Sequence, residues 1–373
     1  MVQLNFPIID PHIHQWDPYH TPHAAQHLVK VLGNYPRAMD RLMRLVKPKP
    51  LIDSLGLTDH ALAPYLPRNY KQDIGHFNVE SVVHVEANWH DHKGTGVVGE
   101  TRWIDQLPFS KQNIQLGAIV ATADPRKRDF KKILQLHHEA SPQFRGIRKM
   151  ASFHEDKGIY RWCDQAGLYR DKKFLKGFEQ IVRKNLTFDA WCYSTQLDDV
   201  TTLAKRFPEA KIMLDHLGTP VGLFGAVGKS TAQTAQARQT IFEEWKVKLA
   251  TLAECQNVHA KISGLLMPVL GHDFHLKKQK ATKMQIIERL QPMIDHAVQV
   301  FGEDRIVFAS NFPMDKPSAD LTEIIAAYIE MTQPYGEDAM FKIFHQNAKN
   351  FYQIEYSLFS KFLQFFLQIK MDL

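Results

Sequence analysis

The sequence predicts a single (β/α)8 barrel, and three observations carry that expectation. Eight short apolar runs recur along the 373 residues. Most intervals between them have room for one helix, and several hold an i, i+3, i+4 apolar stripe. No evident linker divides the chain, whose length fits one large barrel of about 250 residues with additions. A doubly wound sheet is the alternative, but no Gly-x-Gly-x-x-Gly follows the first run.

In order, the runs are Ile8–His14, Val79–Ala87, Ile114–Thr122, Phe144–Met150, Leu186–Cys192, Lys211–Leu217, Val258–Leu265 and Arg305–Asn311. Helices are expected over Gly99–Leu107, Asp129–Ala140, Leu197–Arg206, Thr240–Cys255 and Gln285–Phe301, with Gly302 as a stop. Two stretches depart from the repeat. Residues 18–76, rich in Pro and His, are expected to lay an extra helical layer over the barrel mouth. Residues 218–237 are expected to form a flexible lid; their Gly-Ala-Val-Gly-Lys-Ser lacks the spacing of a phosphate loop. The barrel is assigned to 1–353 and a helical tail to 354–373. In that tail Leu358, Phe362, Phe365 and Phe366 fall at helical spacing, a face for the barrel or for a second copy in a homo-oligomer.

Composition narrows the function. Hydrophobic residues at 44% and charged residues at 23% are those of a globular chain. Lys+Arg 46 against Asp+Glu 40 gives +6, with the charges interspersed. The basic stretches Arg126–Arg128 with Lys131-Lys132, and Lys277-Lys278 with Lys280, lack aromatic interleaving, so no nucleic-acid partner is expected. The mild excess favours a small anionic substrate. The start has no basic leader, and the apolar C-terminal tract is broken by Lys361 and Lys370 and is shorter than the ~20 residues of a spanning helix. A cytoplasmic enzyme without a membrane partner is expected. Cys163, Cys192 and Cys255 read as free thiols, too far apart for a zinc knuckle. Histidine, 19 residues in all, must supply most ligands of any transition metal.

The strongest chemical signal is Asp10-Pro11-His12-Ile13-His14. Alternate strand residues face the same way, so His12 and His14 project together, half of a metal site. A pair of hydrogen-bonded core histidines is the plain alternative; the end of a first barrel strand favours function. His216 in Asp215-His216-Leu217-Gly218-Thr219-Pro220 reaches the same face, and Ser310-Asn311-Phe312-Pro313-Met314-Asp315 ends the eighth run.

With Val83-His84-Val85-Glu86-Ala87, Glu100-Thr101-Arg102-Trp103, Gly146-Ile147-Arg148 and Lys261-Ile262-Ser263-Gly264-Leu265, these motifs resemble the amidohydrolase superfamily. The resemblance covers residues 3–353 and includes the closing Phe344–Tyr352 segment. It is to the amidohydrolase-related branch of metal-dependent barrel hydrolases, and more narrowly to sugar and dicarboxylate lactonases. It implies a hydrolytic site from strands one, two, four, six and eight. A divalent metal, zinc or manganese, would sit on His12, His14 and His216. A strand-eight aspartate would add a ligand and the water-activating base.

Two positions depart from that pattern. Asn311 stands where the aspartate belongs, and an amide cannot take a proton near neutral pH. Thr187–Tyr193 carries no histidine. Asp315 is then either a substitute base or a helix N-cap. Alternatively the site is metal-free, with Arg148 and Lys149 holding a carboxylate or oxyanion; their plain alternative is an ion pair. His84 and Glu86 are expected to point where His12 does, or to form a buried pair. Trp89, His90 and His92 after strand two, and His154 after strand four, suit substrate contact or solvent, and Met267 a pocket wall. The expectation is therefore a hydrolase that opens a lactone or cyclic ester. Non-oxidative decarboxylation and ligand binding without turnover are the alternatives.

Overall fold

All eight apolar runs become strands in a computed structural model that describes residues 4–23, 29–31 and 35–355. They are β1 (Ile8–Ile13), β2 (Val79–Val85), β3 (Gln115–Thr122), β4 (Phe144–Met150), β5 (Thr187–Trp191), β6 (Lys211–Leu214), β7 (Val258–Ile262) and β8 (Ile306–Phe308). Each pairs in parallel with the next in chain order. A parallel bridge between Ile13 and Phe312, beside the His14 N–H bond to the Phe312 carbonyl at 2.9 Å, brings the last strand back to the first. The result is a nearly closed (β/α)8 barrel. Its strands read as unbroken apolar runs because both of their faces are covered.

Inside, Ile9, Val83, Val85, Ala118, Val120 and Met213 pack with Phe351, Tyr352 and Ile354 from the end of the described chain. The Tyr352 hydroxyl donates to Asp189 Oδ2 at 2.8 Å. Outside run helices Val98–Asp105, Phe130–Ala140, Leu197–Arg206, Ala235–Ala253 and Lys283–Phe301, all near their expected places. The fourth begins five residues early, where the Thr234 hydroxyl caps it by accepting from the Ala237 N–H at 3.1 Å. Helices Lys172–Arg183 and Leu321–Thr332 complete the ring. The first of these is capped by Asp171 and buries Phe174, Phe178 and Ile181.

The insertion after β1 forms four short helices: α1 (Pro36–Val46), α2 (Lys49–Leu55), α3 (Asp59–Leu62) and α4 (Pro67–Asp73). They carry a small core of their own from Val29, Met39, Met43, Ile52 and Leu62. Among the ties that hold them to the barrel, Trp16 Nε1 donates to the Ala63 carbonyl at 2.8 Å, the Tyr70 hydroxyl donates to Asp10 Oδ2 at 2.7 Å and Lys316 Nζ donates to Asp73 Oδ2 at 2.7 Å.

The 218–237 stretch is irregular, as expected of a loop, yet it is pinned. Asp156 Oδ2 accepts from the backbone N–H groups of Ser230 and Thr231 at 2.8 and 3.2 Å, and from the Thr231 hydroxyl at 2.9 Å. Leu358, Phe362, Phe365 and Phe366 lie outside the described residues, and with them the expected tail helix. Among the described residues no helix is long and apolar enough to cross a membrane.

Candidate active site

Five strands or strand ends bring charge into the barrel interior. Lys261 on β7 is fully buried; its Nζ donates to Asp189 Oδ2 on β5 at 2.5 Å and to Asp215 Oδ1 after β6 at 3.1 Å. The same ammonium lies 3.1 Å from His12 Nδ1. On β4, Arg148 Nε donates to Glu86 Oε1 at 2.9 Å and Nη2 to the Glu86 carbonyl at 2.8 Å. Three carboxylates thus share two cations. Burial, reinforced by the charge of Asp215, pushes Asp189 up to about 6 in spite of Lys261. Against its burial, Lys261 and His12 hold Asp215 below the usual carboxylate range.

Above this floor the histidines are neutral. Burial and then the positive charge of Arg148 push His14 down to about 3. Burial takes His216 to about 3 as well, although Asp215 works the other way. His12 is lowered by burial and by Lys261. His14 Nδ1 lies 2.8 Å from the Val85 carbonyl, an acceptor, so that nitrogen carries the proton and Nε2 keeps its lone pair. Nε2 faces Asn311 Oδ1 at 3.4 Å. The amide is fixed in that orientation because its Nδ2 donates to Asp315 Oδ1 at 3.1 Å. Two acceptors therefore converge on the cavity wall.

His216 reaches the mouth through a left-handed turn. β6 stops at Leu214, short of its expected end, and His216, Leu217 and Thr219 have φ of 55°, 49° and 33°. Each such non-glycine residue costs roughly 1–2 kcal/mol, held here by packing around buried side chains. His216 Nδ1 lies 2.9 Å from Ser263 Oγ. A Cβ at Gly264 would come within 2.4 Å of that ring nitrogen, so only glycine leaves room for the imidazole.

His12, Asp215 and His216 form a group whose ligand atoms lie within 4.8 Å of one another; His14 stands apart from it. Within that group His12 is not free to take a divalent ion. Lys261 Nζ already sits against His12 Nδ1 and Asp215 Oδ1, and Arg148 Nη1 lies 3.4 Å from His12 Nε2. A fixed cation at each ring nitrogen leaves His12 no lone pair free of positive charge.

A cavity of about 540 Å³ opens above, lined by His14, Glu86, Arg148, His216, Asn311 and Met267, with His90 and His92 on the loop after β2. The other expected residues lie outside its lining. Arg148 faces inward, so its neighbour Lys149 faces outward, 3.6 Å from Asp124. His84 does not point where His12 does. It pairs in register with Ile13 and Ile119, which pack on the helical layer, and its Nε2 is 3.5 Å from Glu100. Trp89 packs on His23 and donates Nε1–H to the Gly96 carbonyl at 3.1 Å. His154 Nδ1 accepts from the Asp156 N–H at 3.0 Å. Asp315 sits behind Asn311, pushed up to about 7 by burial. Its carboxylate serves Asn311 and the Leu266 N–H rather than a helix cap.

Sequence reasoning gave no role to Lys261, Asp189 or Asp215. One signal was present: a lysine inside the apolar run Val258–Ile262, since a lysine in a strand covered on both faces needs a buried partner.

The profile of the amidohydrolase family matches residues 9–354. This chain belongs to the amidohydrolase family. It is 30% identical over 347 residues to the uncharacterized protein y4mH of Sinorhizobium fredii, covering 93% of this chain and 98% of that one. An L-fucono-1,5-lactonase of Burkholderia ambifaria is 27% identical over 261 residues, 69% of this chain and 76% of the relative. Among solved structures, an amidohydrolase from Burkholderia multivorans with bound zinc superposes with a TM-score of 0.67 at 19% identity, over 94% of this chain and all of that one. The amidohydrolase described here is accordingly an enzyme of a family whose members include metal-bound barrels.

Proposed function

We propose that this amidohydrolase opens a lactone or cyclic ester of a small anionic substrate by water attack, without a metal ion. The observation that carries the reading is the pair of acceptors, His14 Nε2 and Asn311 Oδ1, 3.4 Å apart on the wall of a cavity that Arg148 also lines. A water that donates to both presents an oxygen lone pair to the cavity. Asn311 takes no proton; it orients the water, and the Asp315 carboxylate behind it fixes the amide.

Arg148 binds the carbonyl oxygen and stabilises the negative charge that develops there. That charge offsets the positive charge which, after burial, most depresses His14, so the imidazole gains basicity as water attacks. The water oxygen bonds to the carbonyl carbon while one water proton passes to His14 Nε2. Collapse of the oxyanion breaks the ring C–O bond, and the proton returns to the leaving alkoxide, with His216 as the second neutral imidazole in reach. The product is the open hydroxy acid. The likeness to L-fucono-1,5-lactonase supports the reaction class.

The test is acid release from L-fucono-1,5-lactone and dihydrocoumarin, followed with a pH indicator, beside carbon dioxide release from hydroxybenzoates. Acid from a lactone without carbon dioxide is expected. Carbon dioxide release, or no acid from either lactone, overturns the reading.

A further inference from the structure

The upper part of the cavity differs in chemistry from its floor. The insertion contributes Met43, Leu51, Leu55 and Leu62, and the barrel loops oppose them with Trp162 and Val269. None of these six side chains offers an oxygen to a hydroxyl group; Ser54, Thr58 and Tyr160 add three hydroxyls to a lining that is otherwise largely apolar. Two cations join that wall. Lys47 follows the C-terminus of α1, and Arg161 lies over the Phe153 ring at 4.1 Å with Nε donating to the His154 carbonyl at 2.8 Å. Among the described residues neither forms an ion pair. Glu86 is the one carboxylate among the described lining residues, and Arg148 already neutralises it.

We propose that the substrate is an amphipathic lactone, an aryl or alkyl body carrying a carboxylate, rather than a polyhydroxylated sugar lactone. This rests on the lactone-hydrolase reading and names its substrate class. With the ester at Arg148 and His14, the rest of the molecule projects into the apolar wall, and its carboxylate meets Lys47 or Arg161. The volume, about 540 Å³, falls in the range of pockets that enclose drug-sized ligands. A sugar lactone brings several hydroxyls, and each buried against methionine or leucine exchanges bonds to water for none. The cavity therefore selects against the substrate named for the Burkholderia ambifaria relative.

The experiment compares kcat/KM for dihydrocoumarin, a dihydrocoumarin bearing a carboxylate, and L-fucono-1,5-lactone. The carboxylated aryl lactone is expected to exceed dihydrocoumarin by about tenfold, the worth of one charge-assisted bond, and the sugar lactone by roughly a hundredfold. Lys47→Met combined with Arg161→Met is expected to cut the carboxylate advantage to about threefold or less, and an undiminished advantage overturns the role of these two cations. A sugar lactone turned over as well as either aryl lactone overturns the substrate class and leaves the hydrolase reading standing. If no lactone is opened, binding of the open hydroxy acids, read by tryptophan fluorescence, decides between the two. Tighter binding of the carboxylated aryl acid than of fuconate keeps the ligand class while hydrolysis falls. Equal or weaker binding overturns both.

Discussion

At the floor of the cavity nearly every charge is paired with an opposite charge inside the barrel, whereas the chamber above carries two cations, Lys47 and Arg161, that form no ion pair among the described residues. Lys261, Asp189 and Asp215 hold one another at 2.5–3.1 Å in full burial. Lys47 and Arg161 border an apolar wall largely supplied by an insertion with its own small core. The floor is wired for a single geometry, and so it determines the reaction. The chamber keeps its charge for the ligand, and so it determines the substrate. Variants that break the contrast fall in a definite order.

The largest effect is expected at Lys261. Lys261→Met leaves two buried carboxylates without their shared cation, a loss of about 3–5 kcal/mol. Scanning calorimetry should show the melting temperature falling by roughly 5 °C. A fall of under about 2 °C would mean that the floor is not a fixed unit. Next is Arg148→Lys, which keeps the charge but loses the fork that holds Glu86 and the carbonyl oxygen. We expect kcat/KM to drop by about 10²-fold, chiefly in kcat; a loss confined to KM would make Arg148 a substrate anchor only.

Asp315 gives a smaller effect with a definite sign. Its folded pKa is raised from 3.8 to about 7, so the folded state holds this proton more tightly than the unfolded chain. The stability it contributes is complete below pH 3.8 and is lost as pH climbs through about 7. Asp315→Asn should therefore raise stability at pH 8 by about 2 kcal/mol relative to the parent, measured by urea titration. In the parent kcat/KM should rise toward an apparent pKa near 7, as the charge behind Asn311 forms, and the variant should lose that limb. The smallest effect is expected from chelation. Dialysis against a chelator should change kcat/KM by less than about twofold, because Lys261 and Arg148 already provide the positive charge. Stoichiometric zinc whose removal abolishes activity would reverse the assignment.

The barrel was legible because each strand is an apolar run that both faces of a parallel sheet require. The helix Lys172–Arg183 carried an equally readable cap and stripe in Asp171, Phe174, Phe178 and Ile181, yet was not assigned beforehand. At the site, alternation puts His12 and His14 on one face, with ring centroids 4.9 Å apart; the same rule, not applied to Arg148 and Lys149 when both were expected on one ligand, points these neighbours opposite ways. It failed for His84 because period two does not fix phase between strands. β1 slips register between Asp10 and Ile13, around Pro11, so the inward positions of β2 are Val83 and Val85. Nor does any local pattern encode the pairing of Lys261 with Asp189, 72 residues away in the chain and meeting it only when the barrel closes. That the insertion covers the mouth was readable from its position. Which of its side chains reach the cavity depends on how α1–α3 pack.

Tyr352, with its hydroxyl on Asp189, gives the site a temporal property. His12 and His14 leave the ribosome before Arg148, and Arg148 before Lys261. The tyrosine that supports their floor follows all of them in the chain. A chain terminated shortly before it would display the histidine motifs and still lack a supported site.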